Sequence, residues 1–137
     1  MPEKSMSETS ININYITVTF HTNTDDKDFD TGVQVNISPY QNGAVTEIIA
    51  TYTGDLGGHL ADGSISQPVT LSWFTDSNWI LGNEYTLQVI IDPNGHDTWR
   101  FDCYLYIAYN SGSYKNYPFL GHALSQNVRS NNYTFVL

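Results

Sequence analysis

Positive charge is the scarcest commodity in this chain. Five Lys and Arg stand against fourteen Asp and Glu, a formal net charge of −9 over 137 residues. Without a basic face, nucleic acid is excluded as a partner class, and so is simple electrostatic docking on anionic lipid. Only a bound cation would reverse that locally. Cysteine occurs once, at Cys103, so no internal disulfide can form, which fits a reducing compartment. No apolar run approaches the length of a membrane span, and the opening "MPEKSMSETS" lacks the apolar core of a secretory leader. The expectation is a soluble protein, cytoplasmic by default, with export by another route left open. His21, His59, His96 and His122 show no zinc spacing. No nucleophile elbow, phosphate loop or zinc-hydrolase motif is present, so the chain is not expected to be an enzyme.

Helical periodicity is missing too; "GHALSQNV" offers at most a short turn of helix. What replaces it is alternation. Residues 1–10 read as a flexible polar lead-in, and 11–137 as one domain. "ININYITVTF" alternates, with a phase shift at Tyr15–Ile16 where a bulge would fit. "VQVNI", "AVTEIIATYT", "VTLSWF", "YTLQVII" and "NYTFVL" are further strands. The clearest is "WRFDCYLYIAY", with Trp99, Phe101, Cys103, Leu105 and Ile107 on one face and Arg100, Asp102, Tyr104 and Tyr106 on the other. Turn-forming clusters separate these runs, and "YNSGSYKNYP" reads as a loop. The fold class is all-β: a single antiparallel β-sandwich of about eight strands.

Against the shortage of cations, "TNTDDKDFDTG" places Asp25, Asp26, Asp28 and Asp30 within six residues. In extended chain Asp26, Asp28 and Asp30 point to one side and Lys27 points away. Carboxylates held ~4–5 Å apart repel by roughly 3–4 kcal/mol at an effective dielectric near 20. The segment therefore either stays splayed in water or closes on a hard cation, and calcium is the ion whose oxygen shell tolerates such a loop. The spacing is not an EF-hand: glycine comes one place late, at Gly32, and the twelfth position from Asp26 is Ile37 rather than Glu. A second turn, "DPNGHDTW", offers Asp92, Asn94 and Asp97, which are also ordinary turn residues beside Pro and Gly.

If Ile11–Phe20 is the first strand, the acidic segment joins strands one and two and "DPNGHDTW" joins strands five and six. That placement resembles C2-type calcium-binding β-sandwiches, and more loosely the lipoxygenase-type (PLAT) sandwich. The resemblance implies that the two loops lie side by side at one end. It further implies that Asp26 and Asp28, with Asp25 or Asp30, hold Ca2+ together with Asp92 and Asp97. A carbohydrate or a phospholipid headgroup reached through the bound ion is the partner such a module implies. The basic groove of many lipid-binding members has no counterpart here, and Asn94 and His96 stand where closely spaced aspartates are usual.

Ten Tyr, three Trp and six Phe make up the aromatic set. Trp79, Tyr104, Tyr106, Tyr114 and Tyr117 fall on the polar strand face or among Asn and Ser, where amphipathic rings suit stacking on sugars. A carbohydrate-binding module with structural calcium or none is thus the alternative reading, and a non-catalytic interaction or toxin-component subunit is a third. Oligomeric state is not encoded in any pattern here.

Overall fold

The structure, a computed structural model, describes residues 9–28, 31–73, 79–92 and 98–137. The described chain is built of antiparallel strands: β1 (Thr9–Ile11), β2 (Ile13–Thr22), β3 (Gly32–Gln41), β4 (Ala44–Val45), β5 (Ala50–Gly54), β6 (Val69–Thr70), β7 (Ser72–Trp73), β8 (Trp79–Leu81), β9 (Glu84–Asp92), β10 (Thr98–Tyr109), β11 (Tyr114–Ser125) and β12 (Ser130–Val136). Among the described residues there is no helix, and so none long and apolar enough to cross a membrane.

Two sheets pack face to face, the sandwich that alternation predicts. One has the order β11-β10-β2-β6; the other runs β12-β9-β3-β5-β7, with β4 on β3. β1 and β8 form a separate pair. Thr9 and Ser10, expected in the lead-in, are therefore paired, opposite Leu81 and Ile80; residues 1–8 lie outside the described residues. The "VTLSWF" run splits at Leu71, whose N–H donates to the Ile16 carbonyl (2.9 Å) as the chain passes from one sheet to the other.

The core follows the alternation. Trp99, Phe101, Cys103, Leu105 and Ile107 of β10 are wholly buried and face Val33, Val35, Ile37, Leu87, Val89 and Ile91 of the other sheet. Each such aliphatic side chain contributes about 1.5–3 kcal/mol by leaving water. Phe20, Trp99 and Phe101 form an aromatic knot with centroids 4.2–5.4 Å apart, and the Trp99 indole N–H donates to Thr22 Oγ1 (3.0 Å).

β11 departs from the sequence reading, which expected a loop and a turn of helix there. It is a twelve-residue edge strand, largely exposed on both sides. Its inward residues are Tyr117 and Phe119, then His122 and Leu124. A bulge opposite Asp102 adds a residue at Leu120–Gly121 and shifts the parity, which hides the alternation. Pro118 is tolerated because an edge strand does not need every N–H. The bulge expected at Tyr15–Ile16 falls one residue earlier: Ala108 pairs with Tyr15 and Tyr109 with Ile13, leaving Asn14 as the extra residue.

Candidate functional site

Two places carry the chemistry singled out in the sequence: the end of the sandwich bearing the acidic loop, and the outer face of the four-stranded sheet.

At the acidic end, the connection 23–31 leaves β2 and enters β3, while 93–97 leaves β9 and enters β10. Thr22 lies opposite Phe101 and Gly32 opposite Asp92, so both connections cross between the sheets at the same end. The first loop is laced to the start of β10. Asn23 N–H donates to the Arg100 carbonyl (2.8 Å), and Arg100 N–H donates to the Asp25 carbonyl (3.1 Å).

Two carboxylates of this loop meet side chains of the same protein. Arg100 Nε donates to Asp25 Oδ2 at 2.6 Å, and His59 Nε2 pairs with Asp26 Oδ2 at 2.7 Å. Asp92 has Arg129 at 3.7 Å but is almost wholly exposed. Lys27 is the larger surprise. Placed by the sequence on the side away from the aspartates, its side chain is 0% exposed, and its ammonium donates to the carbonyls of Asp28 (3.0 Å) and Thr31 (3.2 Å). The backbone of Lys27 exchanges both hydrogen bonds with Leu60 (3.0 Å each), which ties the loop to the 55–63 turn carrying His59. Three of the chain's five Lys and Arg thus stand at this end.

The described part of the expected metal set fits calcium poorly. A calcium loop offers convergent carboxylates and backbone carbonyls to the ion. Here Asp25 and Asp26 are turned to Arg100 and His59, and two carbonyls already accept from an ammonium. Among the described residues no three of His, Cys, Asp and Glu group as a metal site. Asp30, Asn94 and Asp97 lie outside the described residues.

The aromatic residues separate by face. Trp79, expected at the surface, is 3% exposed and packs on Tyr85 (5.5 Å), because β8 turns it into the core. Tyr117 points inward from β11: its ring lies 4.8 Å from Phe135 and its hydroxyl donates to the Val136 carbonyl (2.8 Å). Burial pushes its pKa up. It closes the seam between the sheets, with Phe119 on Tyr133 (5.1 Å) below it.

Tyr104, Tyr106 and Tyr114 stay on the outer face, where they form part of an ordered array. Register places Tyr15, Ala108 and Tyr114 in one row across β2, β10 and β11. The next row is Thr17, Tyr106 and Asn116, and the third Thr19, Tyr104 and Pro118. Tyr106 stacks on Tyr15 (5.8 Å, 30° between planes) and on Tyr114 (5.3 Å, 27°). The three rings close over Ala108, which is 7% exposed without belonging to the core cluster. The pKa of Tyr106 is raised, chiefly by hydrogen bonding with Tyr15. The outer face of the other sheet differs: Asn36 there accepts from Thr51 Oγ1 (2.7 Å) and donates to Gln88 (3.2 Å), satisfying its own polar groups.

Tyr15, Ala108, Thr17 and Asn116 were not singled out in the sequence. The phase shift at Tyr15 was the available signal, since it moves that ring to the solvent side. Comparison with family models, with curated proteins and with solved structures finds no match to this chain.

Proposed function

We propose that this protein is a recognition module without catalytic chemistry, and that it binds a neutral, polyhydroxylated ligand, a glycan, on the outer face of its four-stranded sheet. The observation that carries this reading is the cluster of Tyr15, Tyr106 and Tyr114 over Ala108, bordered by Thr17, Thr19 and Asn116. Aromatic rings supply surface for the C–H faces of sugars, while phenol, threonine and amide groups bond their hydroxyls. Tyr114 is the most open ring, at 58% exposure. Because the rings brace one another, little side-chain entropy is lost on binding. The net charge of −9 works against anionic ligands.

The likeness to C2-type sandwiches rests on two loops that cross between the sheets at one end; it supports a recognition module more than it supports calcium. A phospholipid headgroup is the less favoured ligand, because Asp25 and Asp26 are engaged by Arg100 and His59. A glycan array probed with and without calcium tests the reading, with liposome sedimentation alongside. The expected result is glycan binding unaffected by chelator, about tenfold weaker in Tyr114→Ala. Binding to no glycan, or calcium-dependent binding to liposomes alone, would sink it.

A further inference from the structure

We propose that the Lys27 ammonium is the resident cation of the acidic loop, holding the place a calcium ion takes in loops of this placement, so that this end of the sandwich is a metal-independent cap.

The observations converge on one side chain. Lys27 lies between Asp26 and Asp28, the spacing at which a metal-binding loop supplies its carboxylates. It is nonetheless the buried residue of that stretch, at 0% exposure, while Asp28 is exposed and the Asp25 and Asp26 side chains are about half exposed. A lysine is almost never fully buried unless its charge is met. Here it is met by the Asp28 and Thr31 carbonyls, hard oxygen ligands of the type calcium selects. The Asp28 carbonyl also accepts from Thr31 N–H (3.2 Å). Thr31 is itself fully buried.

The backbone of Lys27 is clamped from the other side by Leu60, through two 3.0 Å hydrogen bonds. Leu60, itself buried, keeps water from this side of the loop. At the rim Arg100 pairs with Asp25 and His59 hydrogen-bonds Asp26, in exposed contacts that orient more than they stabilise. A divalent ion entering this loop would have to displace a tethered ammonium from its carbonyls and bring two positive centres together. The tether supplies the loop's cation at an effective concentration that a free ion does not match.

Three measurements on the whole chain test this. The first is thermal melting of the wild type in millimolar calcium and in chelator, where midpoints within about 1 °C are expected; a calcium-dependent rise of several degrees overturns the proposal. The second is the Lys27→Met variant, which keeps the length of the side chain and removes the charge. Its midpoint should fall by roughly 5–10 °C, and an unchanged midpoint overturns the proposal. The third needs no variant: pulse acetylation of the native protein followed by peptide mass spectrometry. Lys115, exposed on β11, should react quickly, and Lys27 only when the protein is unfolded. Equal rates at the two lysines would contradict the assignment.

Discussion

Single residues carry consequences that follow from where each is held. Cys103 is wholly enclosed, and burial pushes its thiol pKa up, so it is a packing residue and not a nucleophile. It should resist thiol reagents until the protein unfolds, and Cys103→Ser should cost about 1–3 kcal/mol in a denaturant melt by burying a hydroxyl. His122 lies 4.1 Å from the Tyr133 ring and 6.1 Å from that of Phe101. Burial lowers its pKa from 6.5, and Asp102 offsets part of that. The folded state therefore favours the neutral ring. Its contribution is complete above the ordinary imidazole range and is lost as pH falls through the lowered value. Between pH 7 and pH 5 the wild type should lose more melting temperature than His122→Gln; equal losses would show that the ring does not titrate against the fold. Gly121, at φ +75°, sits in the β11 bulge and donates to Asp102 Oδ1 at 2.8 Å. Gly121→Ala should cost about 1–2 kcal/mol, because an L side chain is strained in that conformation.

The strands show where sequence was informative and where it was not. β10 was legible because a strand buried on one face writes strict alternation, and each residue from Trp99 to Ile107 that alternation assigned inward is buried. The same alternation put Tyr104 and Tyr106 outside. β11 was illegible because it is an edge, exposes most of both faces, contains Pro118 and changes parity at its bulge. Losing β11 hid the site: without it Tyr114 and Asn116 are loop residues with no register to Tyr106. At Lys27 alternation placed the side chain away from Asp26 and Asp28 but did not show that it is buried. Its burial depends on backbone pairing with Leu60, thirty-odd residues away, and on the Asp28 and Thr31 carbonyls, none of which alternation records. One prediction belongs to this scale. Ala108 is the small residue that lets rings from three strands meet, so Ala108→Leu should splay them. Near-UV circular dichroism should lose tyrosine signal and glycan binding should fall, while the far-UV spectrum stays β. An unchanged near-UV spectrum would mean that the rings do not depend on the gap.

For the whole molecule, the two sheets divide the work. The inner faces supply stability, the crossing loops at one end form a cap knit by Lys27, Arg100 and His59, and the outer face of β2, β10 and β11 presents rings and hydroxyls to solvent. On the proposed reading, the acidity that dominates the sequence belongs to architecture and the tyrosines to recognition. Nuclear magnetic resonance titration of the labelled protein with neutral oligosaccharides (glucan, xylan, chitin and galactan fragments) tests this division most directly. The account predicts amide shifts confined to Tyr15, Thr17, Tyr106, Ala108, Tyr114 and Asn116, the same in calcium and in chelator. Shifts confined to residues 23–31 and 92–100, or appearing only with calcium, would contradict it.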